Sequence, residues 1–141
     1  MEFSHSIHID TAPADVWQVV IDVDSWPSMT PSVTAVERLD DGPLRLGSRV
    51  RITQPKIGTA EWTVTEVVPG QSFTWASSKG GVRTVATHTI TPDGAGTNLE
   101  LTIAHAGPLA WIAGKLTAAT TRRYLTLEAA GFKQRSERTR T

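Results

Sequence analysis

Glu2-Phe-Ser-His-Ser-Ile-His-Ile-Asp-Thr-Ala-Pro-Ala-Asp-Val-Trp17 opens the chain and decides its reading. Phe3, His5, Ile7 and Ile9 alternate with Glu2, Ser4, Ser6, His8 and Asp10, the period of two that gives a strand one apolar face. Asp10 or Thr11 then suits a helix cap, and Pro13 and Asp15 suit its first turn. Val16, Val19, Val20 and Val23 mark the buried side of that helix, with Trp17 beside them. Asp24-Ser25-Trp26-Pro27 breaks it and begins a second short helix that ends near Pro31.

Working outward from this start, strands are expected at 33–39, 48–54, 60–68, 72–77, 82–91 and 98–105. Turn signals separate them: Asp40-Asp41-Gly42-Pro43, Gly58, Pro69-Gly70, Gly80-Gly81 and Pro92-Asp93-Gly94. Short connections favour an antiparallel meander. A single helical pattern closes the chain from about Pro108 to Lys133, with Leu109, Ile112, Leu116, Thr120, Leu127 and Gly131 on one face and Ala113 and Ala119 at its margins. One terminal helix laid across a curved sheet cannot fill the whole concavity, so a ligand cavity is expected between them.

Bulk properties narrow the field. A chain of 141 residues is one domain by size. Residues 1–135 read as that domain, and 136–141 as a polar, basic tail that frays. Fourteen basic residues balance 14 acidic ones, which argues against nucleic acid as a partner. The absence of cysteine removes disulfides, thiolate nucleophiles and cysteine metal sites. No stretch approaches the ~18 apolar residues of a membrane span, and the first strand is no signal peptide, so a cytoplasmic protein is expected.

The order strand, two short helices, six strands, long helix resembles the Bet v 1-like helix-grip fold, and within it the SRPBCC superfamily of START-like, polyketide cyclase/dehydrase-like proteins. The likeness rests on Ile7 to Trp17, Trp26-Pro27, Leu46-Gly47-Ser48-Arg49-Val50, Glu61-Trp-Thr-Val64, Pro69-Gly70, Phe73-Thr-Trp75, Thr87-His88-Thr-Ile90 and Gly96-Thr97. It implies an α+β domain in which a seven-stranded antiparallel curved sheet grips the C-terminal helix. It also implies that the first and last strands are neighbours, which would bring His5 close to His105. Members bind lipids, sterols, hormones or polyketides, and some cyclise or dehydrate what they bind.

His5, His88 and His105 each fall in phase with the apolar face of their strand. An imidazole in an apolar pocket serves as general acid or base, or hydrogen-bonds a ligand oxygen; equally, each could be an ordinary core or rim histidine. Three histidines are also the right ligand type for a metal. No spacing fixes such a site and no carboxylate is in phase, so no metal or cofactor is assigned. Trp26, Met29, Trp62 and Trp75 suit the wall of an apolar pocket or plain core filling. Gln54, in phase with Val50 and Ile52, is the amide anchor. Leu101, Ile103, Leu116 and Thr120 complete the candidate lining. Tyr124 is the only phenol and a candidate acid. Arg49, Arg51 and Arg83 are out of phase, and Arg123 alone keeps an inward option. Glu61, Glu66, Glu100 and Glu128 form no convincing carboxylate pair. Trp17 and Trp111 lie off the apolar stripes of their helices and suit exposure or a homodimer contact.

The leading expectation is a binder of a small hydrophobic molecule. The alternative is a cofactor-independent aromatase/cyclase- or dehydratase-like enzyme using His88, His105 or Tyr124. A protein-interaction module with a filled interior is the third.

Overall fold

The computed structural model describes residues 2–138. The elements run β1 (Glu2–Ile9), α1 (Pro13–Ile21), a 3-10 turn (Val23–Ser25), α2 (Trp26–Met29), β2 (Ala35–Arg38), β3 (Arg49–Gln54), β4 (Gly58–Val68), β5 (Ser72–Lys79), β6 (Val82–Asp93), β7 (Gly96–Ala106) and α3 (Ala110–Arg138). Seven strands form one antiparallel sheet in the order β1-β7-β6-β5-β4-β3-β2. From β3 to β7 each neighbour is joined by a short hairpin turn, while β2 and β3 are joined by the longer segment 39–48. A bulge between Val64 and Glu66 in β4 adds bend to the inherited twist of the sheet. This is the α+β helix-grip architecture, with α3 lying in the concave face.

Pro13 starts α1 and Trp26-Pro27 starts α2, where a missing N–H costs nothing. Neither Asp10 nor Thr11 caps α1; the cap position falls on Ala12, with no side-chain hydrogen bond. Thr11 instead offers its carbonyl to the buried Thr97 hydroxyl at 2.6 Å, and the Asp10 amide donates to Glu137 at 2.8 Å. Two long-range ties thus fix the chain's entry into α1, whose first turn has no side-chain cap.

Helix α3 outruns its expected end at Lys133 and continues to Arg138. Ser136 is fully buried, and Lys133 Nζ donates to the carbonyl of His8 at 3.0 Å. Residues 136–138 are therefore helix, while 139–141 of the expected tail lie outside the described residues. Gly131 is what lets the helix seat this deeply: a Cβ there would meet the Met29 carbonyl oxygen at 2.4 Å.

Core packing is concentrated at this end of the groove. Trp26 meets Trp75 and Phe132 edge-on, each pair of ring centroids 5.3 Å apart. Trp75 meets Phe73 at 5.2 Å, and its indole lies 5.7 Å from Trp62. The Trp26 indole N–H donates to the Val20 carbonyl at 3.1 Å, so its burial leaves no unmet donor. Trp17, expected off the stripe, is 8% exposed and packs edge-on against Phe73. It offers nothing to a subunit contact.

Candidate functional site

The groove opens beyond the aromatic cluster. A chamber of about 250 Å³ lies between the β3–β4 and β5–β6 hairpin ends of the sheet and the N-terminal half of α3. Its wall includes Ile57, Ala60, Trp62, Val82, Ile103, Ala113 and Leu125. An inner pocket of about 40 Å³ adjoins it, walled by Trp26, Val33, Ile52, Trp75, His88 and Leu101. Gln54, Trp62, Ile103, Leu125 and Glu128 border both spaces, so the two form one site with a narrow inner end. The inner space fits about one water-sized group. A dry cavity of about 150 Å³ holds benzene, so the chamber is large enough for a bicyclic or short-chain molecule.

Strand phase places most of the expected wall. Gln54, Trp62, Trp75, His88, Leu101, Ile103 and His105 all face this site, together with Trp26 from α2. His5 does not: it lies in a separate depression with Phe3, Ser4 and Arg122. The β1–β7 register sets His5 opposite Leu101, and Phe3 is the β1 side chain that meets His105, at 6.3 Å between rings. Met29 packs against the core instead of lining the cavity.

Helix phase fared worse. Leu116 is 81% exposed, and Thr120 is absent from the wall. Ala113, Thr117, Thr121, Tyr124, Leu125 and Glu128 face the chamber instead. The buried face is turned by about one residue, or 100°, from the expected one. Leu109, Ile112 and Leu116 set the expected phase because they are the large aliphatic residues where the helix begins, and all three face solvent. Arg123 is exposed, which closes its inward option.

The chemistry of the site differs from expectation in the same way. His88 is buried, stacked on Phe73 with centroids 4.1 Å apart, and its Nδ1 lies 3.2 Å from the Phe73 carbonyl oxygen. A carbonyl only accepts, so Nδ1 carries the proton and Nε2 is left as the acceptor. Burial lowers the His88 pKa to about 4, outweighing that hydrogen bond. His105 is also lowered by burial, with Nδ1 3.0 Å from the Thr84 hydroxyl. Tyr124 donates its hydroxyl to the Pro55 carbonyl, which pins α3 to the β3–β4 hairpin. Its proton is engaged in that strut.

Glu128 is the residue the sequence pattern hid. Loss of hydration pushes its carboxyl up to about 7, against a 3.3 Å hydrogen bond from the Ser32 hydroxyl. Ser32 in turn lies 2.9 Å from the Thr30 hydroxyl, and both are buried. The signal was present: Glu128 stands four residues after Tyr124 and four before Phe132, a spacing that shares their helical face. Among the described residues no group of three or more His, Asp or Glu side chains could hold a metal ion, and no helix is long and apolar enough to cross a membrane.

Comparisons with known proteins agree with this architecture. Zhui aromatase/cyclase from a Streptomyces species superposes with a TM-score of 0.79 at 18% identity, over 98% of this chain and 94% of that one. A START superfamily protein from Mycobacterium smegmatis gives 0.74 at 16% identity, over 95% and 97%. The di-domain ARO/CYC StfQ from the steffimycin biosynthetic pathway gives 0.79 at 14% identity; 97% of this chain is covered, and it spans 50% of StfQ. At such identities the likeness is one of fold. No curated protein matches significantly. The model of one family, described as polyketide cyclase/dehydrase and lipid transport, matches residues 1–137. With its helix-grip fold and its cavity of indoles, imidazoles and one half-buried carboxyl, this chain belongs to that family.

Proposed function

We propose that the chain binds a small, largely apolar molecule with one oxygen function, a polyketide fragment or a short lipid, in the chamber beneath α3. The observation that carries this is an apolar chamber of about 250 Å³ ending in a polar floor of Gln54, His88 and Glu128. Apolar burial at roughly 25 cal/mol per Å² supplies the affinity. The floor supplies orientation: a protonated Glu128 donates to a ligand oxygen, His88 Nε2 accepts from a hydroxyl, and the Gln54 amide does either. Native mass spectrometry of freshly purified protein tests the reading. A retained small molecule, displaced when Thr117→Phe fills the chamber, is the expected result. A chain that holds nothing, and whose Trp62 emission no aromatic or acyl probe alters, overturns it.

A catalytic reading has one observation in its favour, the Glu128 carboxyl held at about 7. The histidines are poorer candidates. With a pKa of about 4, His88 holds a proton about a thousandfold less readily than a base poised at neutral pH. Glu128 is poised there. In a dehydration its carboxylate would take the proton alpha to a ligand carbonyl while the Gln54 amide bonds the enolate oxygen. The resulting acid would return that proton to the leaving β-hydroxyl, releasing water and forming the double bond. Glu128→Gln with a β-hydroxy ketone separates the readings: turnover falls by a hundredfold or more while affinity holds, or there is no turnover to lose.

A further inference from the structure

The rim of the chamber is more apolar than a solvated surface has reason to be. Leu109, just before α3, and Trp111, Ile112 and Leu116 in its first turns are 47%, 62%, 38% and 81% exposed. Ile57, 42% exposed, stands at the mouth on the β3–β4 hairpin. Large apolar side chains grouped on one exposed face mark an interaction surface. The rim is one built piece. Gly107, at φ 106°, brings the start of α3 so close to the β5–β6 hairpin that a Cβ there would meet the Gly81 carbonyl oxygen at 2.6 Å. Leu109 lies in van der Waals range of Gly81, its Cδ1 3.5 Å from where a Cβ would stand.

Charge at the rim has one sign. Lys56 precedes Ile57, Lys79 borders the mouth, and Lys115 lies between Gly114 and Leu116. Residues 43–60, 67–92 and 101–127, the segments that build the rim, contain no aspartate or glutamate. Glu61 lies on the outer face of the sheet, in a groove shared with Arg83.

We propose that this rim docks on the anionic surface of a lipid bilayer, with Trp111, Ile112 and Leu116 at the headgroup level and the three lysines above lipid phosphates. Aromatic and aliphatic residues flanked by lysine are the composition of an interfacial helix. Each lysine at an anionic surface multiplies binding about fivefold. A second copy fits less well, because two rims facing each other would bring like lysines together. An acidic carrier protein would match the lysines but leave the five large apolar side chains in water.

Trp111 is the one exposed tryptophan of the five, all of which lie among the described residues, so it reports on docking. The test is co-sedimentation of the wild-type chain with phosphatidylglycerol/phosphatidylcholine vesicles and with pure phosphatidylcholine, including brominated lipids as quenchers. Expected are at least fivefold more binding to the anionic vesicles, quenching by bromine, and weakening by salt. Ile112→Ser with Leu116→Ser should lower binding tenfold or more, and Lys79→Glu with Lys115→Glu should erase the anionic preference. No sedimentation, or binding indifferent to both pairs, overturns the proposal. So does a stable dimer in which acrylamide cannot reach Trp111. The proposal is independent of the ligand reading: a chain that docks on vesicles yet retains no small molecule keeps this inference and loses that one.

Discussion

The two halves of α3 face the same sheet and do opposite things. From Leu125 to Ser136 the helix packs Leu125, Ala129, Phe132 and Ser136 against the sheet and the short helices. From Ala110 to Thr121 it presents small residues to an empty chamber and its largest apolar ones to solvent. The difference teaches how a small domain keeps a cavity. The aromatic cluster around Trp26, Trp75 and Phe132 fixes the helix at one end. The Tyr124 hydroxyl on the Pro55 carbonyl then holds it off the sheet at the other. Close packing at one end makes an unfilled space at the other affordable in a domain of this size.

Truncation at the packed end should show the contrast most strongly. Phe132→Ala is expected to cost about 3–5 kcal/mol in urea unfolding, while Thr117→Ala on the chamber wall stays within about 0.5 kcal/mol. Equal losses at the two positions would mean that the chamber is as tightly packed as the core.

Acid–base behaviour gives the next largest effect. The Glu128 pKa is raised from 4.5 to about 7, so folding favours its protonated form. That contribution is complete below about 4.5 and is lost as pH rises through about 7, a swing of about 3 kcal/mol. His88, lowered from 6.5 to about 4, runs the other way: its contribution is complete above 6.5 and is lost as pH falls through about 4. Glu128→Gln should therefore stabilise the chain at pH 8 far more than at pH 5, with His88 left to set the acid limb. Urea midpoints at the two pH values check this, and a uniform shift would show that Glu128 is hydrated.

Gly131→Ala asks whether α3 is as close to α2 as the 2.4 Å approach requires. A loss of about 1–3 kcal/mol is expected in thermal or urea unfolding, since the Met29 backbone must move. The smallest stability effect belongs to the chamber. Thr117→Phe should change unfolding by less than about 1 kcal/mol, because there is room for the ring, yet weaken any retained ligand tenfold or more. A large destabilisation there would show that the space is not free in solution.

Much of this was legible in the chain. Alternation in the strands is a period of two, and a single phase choice then places every side chain. The same phase choice brings Gln54, Trp62, Trp75, His88, Leu101, Ile103 and His105 to the cavity wall. The helix was misread because its first turns carry large apolar residues on the wrong side, and apolar pattern is the only phase signal a sequence offers. Glu128 was set aside on a different ground, that no second carboxylate pairs with it, and a lone carboxyl gives no sequence signal of the surroundings that shift it. His5 sits on the correct face, but β1 is the edge strand, and the register that pairs it with Leu101 keeps it away from His105.

By itself the sequence determined the element order, the antiparallel meander and the inward faces of the strands. These follow from local periodicity and turn chemistry, which each segment carries alone. Tertiary structure decided the rotation of α3, the partner of each histidine and the protonation preference of Glu128. Each of these depends on what a side chain meets across the groove, and the loss of water around a carboxyl is a property of the surroundings that folding creates.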